Sequence, residues 1–353
     1  MDLPDLTVLG YSDRRQRLRM IRVAERSVEV APASLDKTIG YASMTLRDGW
    51  IAVDCHQELW SVPLPITAPG HLVARGLFDF QPSLDPANFW LAASSQSSRA
   101  RVLVEVDRHG RALAEPIPVA DRTRLEAVTP MGLVIHRQDE DLQLLQRADG
   151  ASSPLSGLKG GWRVAGVHDS TLVVERRSLD LAIVDLRDEK IVPVERPGAG
   201  AWGSSAVFSP DGMTVAIDVR PDPPPPPRPF TEPVGSGGEL SRAWLVLVDV
   251  ASGASKVCVG EFAVHAYRPV WSRDGRWIVF ASPFERRQIW LVDRDEAVLR
   301  RVPFRRQPPM PMLDLTGFSI EEPDEESGHP IESASEGRGG GWRGTTSPAT
   351  AGG

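Results

Sequence analysis

The 353-residue chain reads as all-β, a ring of four-stranded sheets closed into a β-propeller. Three observations predict this. Segments 206–218 and 269–281 share one pattern: a short apolar strand, a Ser-x-Asp-Gly turn, then a strand of β-branched and aromatic residues. Fainter copies recur upstream at a near-constant period. Strand-like runs also stand at both ends of the chain, as closure of a ring requires.

Taken in order, residues 1–35 carry the strand-like runs Leu6–Leu9, Leu18–Val23 and Ser27–Val30. Leu46–Val53, turning at Asp48-Gly49 and followed by Glu58–Pro63, is the first full copy. Phe80–Ala92 has a stretched turn around Asp85 and is followed by Val102–Asp107. Val128–Ile135, with Met131 where Asp is expected, precedes Leu142–Leu145. Val164–Val174 precedes Leu181–Asp185, and the two clearest copies precede Trp244–Asp249 and Gln288–Asp293. Asp-Gly between two apolar runs is a strong hairpin signal, because Gly accepts positive φ and Asp bonds the turn backbone.

With turn positions at 48, 85, 131, 169, 211 and 274, the spacings are 37, 46, 38, 42 and 63. Most fit the period of roughly 40–50 residues expected of propeller blades. The outlier contains residues 221–241; without those 21 residues it becomes 42. A blade alone leaves both faces wet, whereas a ring packs sheet on sheet and protects most edges. Six continuous blades plus a seventh, composed of N-terminal strands and Met312–Ile320, is the favoured reading. Six blades with N-terminal trimmings is the alternative.

The Phe208-Ser-Pro-Asp-Gly212 turn and its counterpart in Pro269–Ala281 resemble the WD40-like repeats of the TolB type. The resemblance covers most of residues 40–300 and implies a β-propeller, a fold that does not by itself fix function. The best-known member of that family works in the periplasm on envelope proteins. Here the opening Met-Asp-Leu-Pro-Asp lacks a basic-then-apolar signal, and the expectation is a cytoplasmic protein.

Composition bounds the partners. Net charge is −7, but residues 319–353 hold seven acids against Arg338 and Arg343, leaving residues 1–318 at only −2. No basic stripe is available to neutralise phosphates, so nucleic acid is not an expected partner. No apolar run approaches the roughly 20 residues of a membrane-spanning helix. Two cysteines exclude a disulfide framework, and Cys55 and Cys258 read as small core residues. The domains expected are a propeller over 1–318, carrying a Pro-rich loop at 221–241, and a disordered acidic, Gly/Ser-rich tail over 319–353.

Chemical motifs are scarce. TolB-like propellers also cap serine peptidases, yet no Gly-x-Ser-x-Gly elbow is present, and the residues after 320 are expected to be too few for an α/β domain. Gly253-Ala-Ser-Lys256 lacks the spacing of a phosphate loop. The seven histidines (56, 71, 109, 136, 168, 265 and 329) show no metal-ligand spacing. His136 and His168, beside hairpin strands, are those a channel ligand would use. No catalytic residue, metal or cofactor is assigned. Asp48, Gly49, Asp211, Gly212, Asp274 and Gly275 read as structural turn residues. Trp50, Phe208, Trp271, Trp277 and Trp290 read as filling between blades.

The polyproline run is harder to read as packing. Pro223-Pro-Pro-Pro-Pro-Arg228 matches Pro-x-x-Pro-x-Arg, a preformed ligand for aromatic grooves, with Pro223, Pro226 and Arg228 as contact residues. The function expected is therefore a non-enzymatic scaffold, monomeric on its own. It binds a protein on one ring face, with this loop as an accessory contact. The alternative is a channel-centred enzyme or small-molecule binder, lactonase-like or lyase-like.

Overall fold

In a computed structural model of the chain, the structure describes residues 7–12, 17–22, 27–34, 42–47, 50–55, 58–63, 70–75, 77–94, 101–137, 141–176, 180–195, 200–221, 243–262, 267–282, 288–302 and 316–318. These belong to a compact unit spanning Met1–Ser319. Among them, no helix is long and apolar enough to cross a membrane.

Strands β1 (Thr7–Ser12), β2 (Arg17–Arg22) and β3 (Ser27–Ser34) come first. The first continuous blade is β4 (Ala42–Arg47), β5 (Trp50–Cys55), β6 (Glu58–Pro63) and β7 (His71–Arg75). The second is β8 (Leu77–Pro82), β9 (Asn88–Ser94), β10 (Arg101–Asp107) and β11 (Ile117–Val119). The third is β12 (Arg124–Thr129), β13 (Gly132–His136), β14 (Leu142–Leu145) and β15 (Ser152–Pro154). The fourth is β16 (Trp162–His168), β17 (Thr171–Arg176), β18 (Asp180–Asp185) and β19 (Lys190–Pro193). The fifth is β20 (Gly200–Phe208), β21 (Thr214–Pro221), β22 (Ala243–Asp249) and β23 (Ser255–Phe262). The sixth is β24 (Tyr267–Trp271), β25 (Trp277–Ser282), β26 (Gln288–Asp293) and β27 (Val298–Arg301). Finally β28 (Thr316–Phe318) pairs with β1, giving a seventh sheet in the order β28-β1-β2-β3.

Every sheet is antiparallel and runs outward from its first strand. The first strands of consecutive blades adjoin from β8 through β12, β16, β20 and β24 to β28, and β28 adjoins β4. The remaining junction is apolar: Trp50, Ala52 and Leu59 of the first blade pack on Phe89 and Leu91 of the second. The ring therefore closes.

The sequence of β21 shows how neighbouring blades are glued. Successive side chains of a strand point to opposite faces. Val215, Ile217 and Val219 enter a cluster with Val173 and Ile183 of the fourth blade, while Ala216 joins Trp271, Ile278 and Phe280 of the sixth. Both faces are buried, so the strand is almost continuously apolar. Each fully buried Val or Ile stabilises the ring by about 1.5–3 kcal/mol. Cys258 lies in the same fifth-to-sixth blade cluster, and burial pushes its thiol pKa up.

The alternation of strands sorts the loops onto two rims. Turns between first and second strands share a rim with turns between third and fourth strands. Backbone bonds tie the two: Leu186 N–H to Ser170 O (3.0 Å), Val250 N–H to Met213 O (3.0 Å) and Arg294 N–H to Arg276 O (2.9 Å). Links between blades, and between second and third strands, leave from the other rim. Five innermost strands carry a bulge: β8 between Leu77 and Asp79, β12 between Leu125 and Ala127, β16 between Val164 and Gly166, β20 between Trp202 and Ala206, β24 between Tyr267 and Val270.

Candidate functional site

The turn rim is built on the Asp-Gly hairpins. In the fifth blade, the Ser209 hydroxyl donates to Asp211 Oδ1 at 2.5 Å, and that oxygen also accepts Met213 N–H at 2.9 Å. Ser209 Oγ in turn accepts Thr214 N–H at 3.0 Å. The sixth blade repeats the arrangement. Ser272 Oγ bonds Asp274 Oδ1, which accepts Arg276 N–H at 3.0 Å, and Trp277 N–H reaches Ser272 Oγ at 2.8 Å. The Ser209 hydroxyl bond holds the Asp211 carboxyl below the usual carboxylate range. Burial would raise Asp274, but its bonds to Ser272 and Arg276 outweigh that and leave it lowered. Gly212 and Gly275 take positive φ, 70° and 69°. These carboxylates are thus consumed by their own turns, and Asp48 and Gly49 lie outside the described residues.

Beside exposed charged residues such as Asp85, Asp169 and Arg276, the turns also present apolar side chains. Leu84 (48% exposed), Met131 (38%), Val167 (39%) and Met213 (65%) stand at or beside the inner turns of the second, third, fourth and fifth blades. Four consecutive blades therefore bring one large apolar side chain each to the same rim. Next to Met213, a cleft of about 320 Å³ opens between the fifth and sixth blades, with Asp249, Lys256, Arg294 and Asp295 in its wall.

The histidine candidates divide. His168 ends β16 and packs against the next blade, its ring centroid 5.6 Å from that of Phe208. His136 ends β13, half-buried. His71 and His109, on neighbouring blades, stack at 5.3 Å, with His71 Nε2 bonded to Arg108 O at 2.7 Å. Among the described residues, no three His, Cys, Asp or Glu side chains gather as a metal-ligand group. Trp50, Phe208 and Trp271 are buried between blades and Trp290 packs against the same cores. Pro223, Pro226 and Arg228 lie outside the described residues.

A second polar constellation escaped sequence reasoning. On the innermost strands β8 and β12, Asp79 Oδ1 stands 3.4 Å from Arg124 Nη2, and Glu126 Oε1 stands 3.9 Å from Arg124 Nε. Arg101 joins from β10, donating to Thr123 O at 2.7 Å and lying 3.8 Å from Asp121. Burial raises the Asp79 pKa despite Arg124 beside it. A charged residue inside an apolar inner strand was the available signal, but its neighbours come from other parts of the chain.

The closed ring of four-stranded sheets has known counterparts. TolB from Acinetobacter baumannii superposes with a TM-score of 0.51 at 12% identity, covering 90% of this chain and 68% of that one. The chain has the β-propeller fold that TolB also has. A putative 6-phosphogluconolactonase from Bacteroides fragilis matches at TM-score 0.53 and 12% identity, covering 89% and 98%. Oligogalacturonate lyase from Vibrio parahaemolyticus matches at 0.51 and 10%, covering 82% and 92%. No family model and no curated protein matches the chain. At these identities the shared property is the propeller, which carries both enzymes and TolB.

Proposed function

We propose that this propeller is a protein-binding scaffold whose turn rim docks a partner. The observation that supports the reading is the arc of Leu84, Met131, Val167 and Met213, repeated over four consecutive blades. Single exposed apolar residues are ordinary, but one on the same rim of each of four consecutive blades supports a contact surface. Methionine, which supplies two of the four, adapts to varied partner shapes. The partner lays apolar side chains across this arc. The polyproline run of Pro223, Pro226 and Arg228 remains an accessory contact in this reading. Its anchors, Pro221 and Ala243, leave from the opposite rim, so it engages a separate aromatic-grooved module.

The test uses the full chain as bait in its native cells, beside a variant with Met213→Asp and Leu84→Asp. A stoichiometric partner should be captured by the parent and lost at least about tenfold by the variant, whose melting temperature should match the parent. Deleting 222–242 should leave that capture intact. A partner held equally by both forms, or a bait that emerges alone, overturns the reading.

A further inference from the structure

Arg147 is a half-buried guanidinium that the fold holds in place and leaves without a counter-ion. It stands in the turn between β14 and β15, on the rim that carries the apolar arc. Its Nη2 donates to Thr129 O at 2.5 Å, at the foot of the turn that presents Met131. Its guanidinium carbon lies 5.9 Å from the ring centre of Trp90 in the second blade. Trp90 belongs to β9, which follows the inner turn that presents Leu84. Arg147 therefore sits at the junction between two neighbouring members of the arc.

The ring does not meet its charge. Three other arginines of this rim have carboxylate partners: Arg187 with Asp169, Arg276 with Asp293 and Arg294 with Asp295. Among the described residues, no carboxylate pairs with Arg147. The acids of the adjoining turns and of β10 are engaged by other groups. Glu105 accepts from the Ser83 hydroxyl, Asp85 from Ala87 N–H and Asp149 from Ala151 N–H. Arg147 Nε is enclosed in the junction, whereas Nη1 bonds no described group and is open to solvent. The reachable donor is thus at the surface, and nothing has to enter the interior.

These features select the group that fits. A guanidinium fixed by a hydrogen bond and a ring face loses little freedom when an acceptor arrives. Charge-assisted bonds to carboxylates are among the stronger ones. A doubly charged phosphate would be repelled by exposed Asp85 and Asp149 on the adjoining turns, so a single carboxylate fits better. Leu84 and Met131, one on each blade, call for apolar neighbours to that carboxylate.

We propose that the partner of the turn rim presents an acidic side chain flanked by apolar ones, its carboxylate accepting from Arg147 Nη1 between Leu84 and Met131. This rests on the scaffold reading and names the chemistry of its partner.

The experiment is saturation-transfer NMR with calorimetry on the full chain, using acetyl-Leu-Glu-Leu-amide as probe and its Gln counterpart as neutral control. The Glu peptide should bind about fivefold more tightly, the scale of one partly exposed ion pair. Arg147→Gln should erase that preference, and raised salt should shrink it in the parent. Arg147→Lys keeps the charge without the fork and should retain a weaker preference, which keeps the test alive if Arg147→Gln fails to fold. No binding of either peptide, equal binding of both, or a preference that survives Arg147→Gln overturns the proposal. The scaffold reading is judged separately. A cellular partner lost by Met213→Asp with Leu84→Asp, but held equally by Arg147→Gln, leaves that reading standing and sinks this one.

Discussion

Arg276 Nε donates to Asp293 Oδ2 at 3.0 Å, with Nη2 of the same guanidinium 2.9 Å from that oxygen. This bond joins the inner turn of the sixth blade to its outer turn. The Asp293 side chain is fully buried, and its Oδ1 accepts Asp295 N–H at 3.0 Å and Glu296 N–H at 3.2 Å. One carboxylate thus closes the outer turn and anchors the inner one. Equivalent acids end the third strands of other blades: Asp107 accepts His109 and Arg111 N–H, Asp185 accepts Arg187 N–H, and Asp249 accepts Ser252 N–H. Replacing Asp293 by Ala strands these donors and should cost about 2 kcal/mol in urea unfolding. Asn, which keeps an oxygen for the turn, should cost less. An unchanged unfolding midpoint for Asp293→Ala would refute the anchor.

The same acids set the response to low pH. Asp211 is lowered by the Ser209 hydroxyl and Asp249 by the Ser252 hydroxyl. Burial pushes Asp274 and Asp293 up, but their turn hydrogen bonds and Arg276 outweigh it, so both also end lowered. A folded-state pKa below the unfolded value of about 3.9 gives stability that is complete above that value and is lost as pH falls through the folded pKa. Asp79 is raised by burial and acts oppositely, its favourable contribution fading as pH rises through the raised value. The two windows do not overlap, because Asp79 alters stability above the unfolded value and the four lowered groups alter it below. Urea midpoints should therefore drop below about pH 4, and the drop should shrink in Ser209→Ala, which frees Asp211 to titrate nearer its ordinary value.

The sequence exposes what is local and conceals what is assembled. Phe208-Ser-Pro-Asp-Gly212 declares its hairpin because its hydrogen bonds close within five residues. The composite blade was legible only as a requirement of closure, since Thr7↔Phe318 pairing leaves no mark on either segment. Arg124-Leu-Glu-Ala127 reads as ordinary alternation, and the bulge at Glu126 depends on pairing with β13. Leu84, Met131, Val167 and Met213 occupy different offsets in their turns, and only the ring gathers them on one rim.

His168, a ligand candidate by sequence, instead limits its neighbour. Gly212 takes φ +70°, and a Cβ there would lie 2.4 Å from His168 Cδ2. Gly212→Ala therefore meets two penalties, a left-handed backbone worth roughly 1–2 kcal/mol and the clash with the ring. His168→Ala combined with Gly212→Ala should recover the clash and leave the backbone part. A double-mutant cycle in urea separates them, and strict additivity would show that the ring yields freely.

Ring closure makes the sharpest stability test. β28 meets β1 through Thr7↔Phe318, Val8↔Gly317 and Leu9↔Thr316, and β28 also adjoins the innermost strands β24 and β4. A chain ending at Ser319 keeps this strand and should melt with the full-length protein. A chain ending at Pro311 loses it, opens β1 as an unpaired edge and parts two blade interfaces together. It should melt several degrees lower and associate through the exposed edge. A peptide of residues 312–320 added in trans should restore part of the loss by refilling the edge. If the chain ending at Pro311 melts with the parent and stays monomeric, β28 is not what closes the ring.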